Sequence, residues 1–175
     1  MDNRPKLYIA GPDVFEPNPV AVGERLKSIA RQYGFEPLYP FDNAVPHGDP
    51  NPSLTIFQAN AAMIRAADIV VANLNPFRGA EPDSGTVWEV GYAAGLGKRV
   101  IGYVGSSESM VVRLLTREGR EVPAVGPYVD RKGRTIEDFG HSLNLMLIHS
   151  IEHLATGDFE DAIKYLGANP IRLLT

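Results

Sequence analysis

Cysteine is absent from this chain, which removes disulfide frameworks, cysteine-ligated iron–sulfur clusters and cysteine-type zinc sites from the chemistry open to it. A basic surplus is absent too. Asp and Glu number 21 against 17 Lys and Arg, a net charge of −4, whereas a nucleic-acid partner calls for a basic face. No stretch approaches the ~18 consecutive apolar residues that a membrane span needs. The opening MDNRPKLYIAG has an apolar run too short for a signal peptide and reads as the entry to a strand. GxGxxG does not follow the first strand and GxxxxGK[ST] occurs nowhere, so dinucleotide and P-loop chemistry lack support. There is no internal repeat and no low-complexity tract. The expectation is a single cytoplasmic domain over residues 1–175, with neither nucleic acid nor membrane as partner.

What is present is organised around Ala67 to Val104. Asp68 to Leu74 is a short apolar run with β-branched residues and reads as a buried strand. Asn75 to Pro82 is a polar, Pro- and Gly-bearing loop. Asp83 and Ser84 are N-cap types ahead of a helix from Thr86 to Leu96, which Gly97 ends. Arg99 to Val104 is a second apolar strand. This βαβ unit puts Arg78, Glu81, Asp83 and Glu89 at the carboxyl edge of the sheet, where ligands sit over helix N-termini.

Glu89 stands among Gly85, Trp88, Val90, Gly91, Tyr92 and Ala93, an apolar setting for a carboxylate. It is either a helix Glu reaching water or pairing with Arg78 or Lys98, or a working carboxylate with Asp83 nearby and with Gly85 and Gly91 clearing space for a ligand. Two carboxylates in unequal environments are the equipment for cleaving a glycosidic bond.

Elsewhere, Lys6 to Ala10 reads as the first strand, with Gly11 allowing a close approach at its end. A helix spans Val20 to Gly34, and Phe35 to Tyr39 is a second strand that Pro37 marks as a sheet edge. Phe41 to Pro52 is a long loop of the kind that forms lids. Ser53 is read as the cap of a helix to Ala67, on whose inward stripe Asn60 is either a satisfied amide or a ligand contact. A helix follows from Glu108 to Leu115. The six Lys and Arg between Arg113 and Arg134 read as a solvated face, and Val122 to Asp130 as a short fifth strand or an exposed loop. Ser142 to Leu147 opens a helix continued by Ile148 to Thr156, with Asn144 a polar misfit in it. His149 and His153, four apart, lack a third ligand and read as surface histidines rather than a metal site. Asp158 caps a last helix, Phe159 to Gly167. Alternating strands and helices imply a doubly wound parallel α/β sheet.

Four segments resemble the nucleoside 2-deoxyribosyltransferases: YIAGPDVF (Tyr8–Phe15), ADIVVANLNPFRGAEPDSGT (Ala67–Thr86), WEVGYAAGLGK (Trp88–Lys98) and LNLML (Leu143–Leu147). The resemblance implies a flavodoxin-like, three-layer α/β/α fold with a five-stranded parallel sheet. It further implies a homo-oligomer, a dimer or a multiple of dimers, with active sites completed across the interface. By the same resemblance Glu89 matches the nucleophile that attacks C1′ of the sugar, and Asp83 the carboxylate that handles and helps protonate the base. Tyr8 matches the hydroxyl that orients the Glu, and Asn144 a neighbour's amide to the sugar 5′-hydroxyl. Gly11, Phe15, Phe77 and Met146 fall in the substrate-binding segments, Met146 in the neighbour's Leu143–Met146 stretch that helps exclude water. One branch of the family carries Asp where this chain has Asn60, which rests proton delivery more on Asp83. The PFRG-x-EPDSGT form is more like the branch that exchanges purines. Such enzymes use a deoxynucleoside and a free nucleobase, need no cofactor or metal, and work by a retaining ping-pong mechanism. The competing readings are a hydrolase of the same fold acting on nucleosides or 5′-monophosphates, with His141 and Ser142 near the 5′ position, and a non-catalytic nucleotide-sensing domain.

Overall fold

The computed structural model describes residues 4–170; the MDN of the N-terminal stretch and the last five residues lie outside them. Five strands are described, β1 (Lys6–Ala10), β2 (Glu36–Leu38), β3 (Ile69–Asn73), β4 (Arg99–Val104) and β5 (His153–Thr156). They form one sheet of order β2-β1-β3-β4-β5, every pairing parallel. This is the flavodoxin-like order, whose switch point lies between β1 and β3. The Pro37 strand is indeed an edge, where a missing N–H costs no ladder bond.

Side-chain alternation along the strands builds two cores. Leu7, Ile9, Ile69, Val71, Ile101 and Tyr103 face α1 (Pro19–Gln32) and α6 (Phe159–Ala168), meeting Leu26, Ala30, Phe159 and Ile163. Tyr8, Ala10, Val70, Ala72 and Val104 face the other way. There they meet Ile64 of α2 (Pro52–Ala66), Val90 and Ala93 of α3 (Ser84–Gly95), and Leu147 of the short α5 (Leu145–Ile148). Three layers result. Helix α4 (Met110–Arg117) lies with Ile136 in a small satellite cluster.

Several expectations need correction. The fifth strand is His153–Thr156, not part of a helix and not the Val122–Asp130 stretch. The latter is irregular and contributes only an isolated bridge from Val129 to Thr135. His149 follows α5 and His153 lies in β5, so the two do not share a helix face. The cap of α2 is Asn51, whose side chain accepts from the Leu54 N–H, with Pro52 at the first helical position. Asn144 is not inside a helix but caps α5, accepting from the Met146 N–H at 2.9 Å. Arg113 does not belong to a solvated face: it is buried and donates to the Ser142 carbonyl at 2.5 Å. The Phe41 to Pro52 loop begins in a 3-10 turn, Pro40–Asp42, and is otherwise without regular structure as far as α2.

Candidate active site

Helix α3 starts where β3 and the Asn75–Pro82 loop deliver it, beside the end of β1. Asp83 caps it: Oδ2 accepts from the Thr86 N–H at 3.0 Å and the Thr86 hydroxyl at 3.2 Å. This holds one carboxylate at the helix N-terminus, where the dipole favours negative charge. Glu89 lies one and a half turns further on. The hydroxyl of Tyr8, itself fully buried on β1, donates to Glu89 Oε1 at 2.5 Å. Its other oxygen, Oε2, accepts no hydrogen bond among the described residues.

Burial pushes the Glu89 carboxyl up to about 7, the Tyr8 bond opposes that rise, and the charge of Asp83 adds to it. The Tyr8 phenol is pushed well above its ordinary range, by burial first and then by Glu89. Tyr8 is thus a fixed O–H donor, and Glu89 a carboxyl held near neutrality, which makes it a candidate working group.

The two carboxylates open into a cavity of about 500 Å³, the scale of a small-molecule pocket. Its apolar lining is Val14, Phe15, Pro40, Phe41, Val45 and Ile56; its polar lining adds Asn43, Asn60 and Thr86, and Gly11 and Gly85 complete it. Gly11 is enforced by crowding. A Cβ there would collide with the Asp13 carboxylate and stand 2.8 Å from Asn73 Cβ. Asn60 Oδ1 is buried and finds no hydrogen-bond partner among the described residues. An unsatisfied buried acceptor in a cavity lining is open to a donor from a ligand.

Of the residues expected at the site, Glu89, Asp83, Gly11, Phe15 and Asn60 line this cavity, and Tyr8 stands behind Glu89. Phe77 does not line it but stacks on Phe15, with ring centroids 5.5 Å apart and planes 19° from parallel. The Arg78 guanidinium lies over both rings, 4.9 and 4.6 Å from their centroids, on a backbone with φ of 52°. Gly91 is not among the lining residues and its Cβ position faces open space, so only Gly85 of the expected glycine pair clears the cavity. Asn144 and Met146 are exposed and do not line the cavity of their own chain; the Asn144 amide donates to Glu137 at 2.6 Å.

Sequence reasoning passed over Val14, Pro40, Ile56 and Thr86 as site residues. Thr86 was within reach, since the residue that an N-cap carboxylate grips lies three positions on. Among the described residues no group of three or more His, Cys, Asp or Glu is placed to hold a metal ion.

The family model described as nucleoside 2-deoxyribosyltransferase matches residues 7–146. A solved structure titled 2-desoxiribosyltransferase from Leishmania mexicana is similar at 32% identity and a TM-score of 0.74, covering 95% of this chain and 99% of that one. A 2-deoxyribosyltransferase from Bacillus psychrosaccharolyticus shares the fold at 21% identity and a TM-score of 0.62, covering 95% and 96%. An uncharacterised protein of Schizosaccharomyces pombe is 34% identical over 104 residues, 57% of this chain and 49% of that protein, so this chain spans about half the length of that curated relative. With four fifths of its length inside the family model and its carboxylate cavity at the β1/β3 switch point, the chain belongs to the nucleoside 2-deoxyribosyltransferase family.

Proposed function

We propose that the protein exchanges the base of 2′-deoxyribonucleosides, with a lean toward purines, through a covalent deoxyribosyl–Glu89 intermediate. The observation that carries this reading is the Tyr8–Glu89 bond at 2.5 Å inside a cavity that also holds Asp83. Tyr8 occupies one oxygen of Glu89 and orients the carboxylate, which leaves Oε2 to attack C1′. The N-glycosidic bond breaks as the Glu89–C1′ bond forms, and the departing base takes a proton delivered through Asp83. Oxocarbenium-like charge on the sugar is stabilised by the same carboxylate that traps it. A second base then reverses both steps, so the configuration at C1′ is retained. Phe15, backed by the stacked Phe77, suits a planar base, and the free acceptor of Asn60 suits a base N–H.

Water must be kept from the intermediate. The cavity mouth of one chain is flanked by exposed apolar groups, and a ladder of Phe57, Trp88 and Tyr92, the first pair tilted and the second stacked, with centroids 5.2 and 5.0 Å apart, runs along α2 and α3. We read these as supporting a homo-oligomer in which a neighbour's Asn144 and Met146 close the site on the 5′ side.

The test is chromatographic. The protein is incubated with 2′-deoxyinosine, with and without adenine, and then with thymidine as donor. Deoxyadenosine formed only in the presence of adenine establishes transfer, and the better donor fixes the base preference. Free base released equally in both cases, without deoxyadenosine, makes the protein a hydrolase. Turnover of 5′-monophosphates alone moves the substrate to the phosphorylated class.

A further inference from the structure

One part of the cavity lining is Pro40, Phe41, Asn43 and Val45, a stretch that hangs between the edge strand β2 and helix α2. Such a stretch has little core of its own to fix it. Phe41 is half exposed and the segment from Asn43 to Asn51 has no regular structure. Much of its attachment comes from one face of α1. Gly23 leaves room for the Tyr39 ring, since a Cβ there would stand 2.6 Å from Tyr39 Cδ1. One turn further on, at i+4, Lys27 reaches Asp42, with Nζ 2.6 Å from Oδ1.

Lys27 is 7% exposed, an unusual burial for a lysine, and its stem is packed while its ammonium is shared between Asp42 and Glu24 at 2.8 Å. Asp42 closes the 3-10 turn by bonding the Tyr39 carbonyl through its N–H at 2.9 Å. Fixing Asp42 therefore fixes the turn that aims Phe41 and Asn43. On the far side the Asn43 amide donates to the Pro40 carbonyl at 3.3 Å and reaches Met63 Sδ of α2 at 3.7 Å. Lys27 itself is not among the cavity lining.

We propose that Lys27 is a positioning residue: through Asp42 it clamps the Pro40–Val45 wall over the substrate cavity and so sets substrate affinity and the exclusion of water. An ion pair between a buried lysine and exposed carboxylates that served stability alone would be replaceable without consequence for the site once the fold was intact. The clamp instead couples helix α1 to a wall whose small displacement is costly to a reaction that depends on geometry and dryness.

Three variants test this. Lys27→Met keeps the stem and removes the ammonium, Asp42→Asn keeps the turn and removes the charge, and Glu24→Gln removes the partner that does not touch the wall. The first two are expected to raise the donor KM roughly tenfold with a smaller change in kcat. They should also raise the fraction of donor hydrolysed rather than transferred, and speed chymotrypsin cleavage after Phe41 in the ligand-free protein. Glu24→Gln should leave all three near the parent values, and Lys27→Arg should restore part of the loss. Asp42→Asn serves should Lys27→Met fail to fold. Unchanged cleavage after Phe41 and unchanged KM in folded Lys27→Met or Asp42→Asn protein would overturn the proposal, as would equal effects from Glu24→Gln. The KM and partition measurements rest on the base-exchange reading, whereas the cleavage rate does not. A parent without transferase activity thus counts against that reading alone.

Discussion

The hydroxyl of Tyr8, on the buried face of β1, donates to Glu89 Oε1 across 2.5 Å, joining residues 81 positions apart. The strand before the switch point thereby aims the carboxylate of the helix after it. Phenol and carboxylate also set each other's titration. The bond favours ionised Glu89, while burial and Asp83 oppose ionisation.

Removing that bond has a signed consequence. In Tyr8→Phe the downward influence on the Glu89 carboxyl is lost, so its pKa moves above about 7. Because the proposed mechanism uses Glu89 as the carboxylate nucleophile, it requires the acid limb of the pH–rate profile to shift to higher pH. At neutral pH the rate should fall by roughly 10- to 100-fold, with partial recovery toward about pH 9. An acid limb that stays in place while the rate falls uniformly would show that Tyr8 acts through orientation alone.

Glu89 should trade stability for activity. Its folded pKa, raised to about 7, exceeds that of an ordinary carboxyl, so the folded state holds the proton more tightly than the unfolded state does. The stability belonging to the protonated form is complete below the unfolded value and is lost as pH rises through about 7, a difference of roughly 3 kcal/mol at most. Glu89→Gln keeps an acceptor for Tyr8 and cannot ionise. It should be inactive in base exchange and yet melt several degrees above the parent at about pH 8, the gap closing toward about pH 5. Equal melting temperatures at both pH values would mean that Glu89 is not desolvated as the structure has it.

Crowding at the end of β1 makes a further prediction. Gly11→Ala must push aside the Asp13 carboxylate, which accepts from the Asn73 amide at 3.1 Å. Asn73 in turn holds Asn75, which caps the end of β4 through the Gly105 N–H at 2.7 Å. The substitution should destabilise the fold by about 1–3 kcal/mol and displace Phe15. Thermal melts read the first effect, and a rise in KM larger than any change in kcat reads the second.

These elements differ in how openly the sequence announces them. β1, β3 and β4 are continuous apolar runs because both faces of a parallel strand are covered, and α3 carries its cap at Asp83 and its stop at Gly97, where φ is +70°. Glu89 stood out as a lone carboxylate in an apolar helix with two readings open, and the structure places it in the cavity lining, bonded to Tyr8 rather than to Arg78 or Lys98. β5 was not legible, since it is a four-residue edge strand in which only Ala155 is buried, and its local pattern continues that of α5. Arg113 looked solvated among its charged neighbours because its burial depends on the Ser142 segment 29 positions away. The Pro40–Val45 wall was visible only as a long loop. Its position is fixed by Lys27 and Gly23, contacts for which periodicity offers no signal.

Asn144 provides the test of assembly. Within its own chain it caps α5 and sits apart from the cavity, so a substrate role requires that a second copy carry it into a neighbouring site. Asn144→Ala would also remove the cap, at a cost of about 1 kcal/mol, whereas Asn144→Ser keeps an N-cap oxygen and removes the amide donor. Asn144→Ser and Glu89→Ala proteins should each be severely impaired alone. Mixed in equal amounts with subunit exchange, half of the dimers are hybrids, and each hybrid has one site with both Glu89 and Asn144 intact. Recovery should therefore approach about a quarter of the parent activity. No recovery, with exchange demonstrated by mass spectrometry of the mixed assemblies, would place Asn144 outside the shared site and leave its capping of α5 as its whole function.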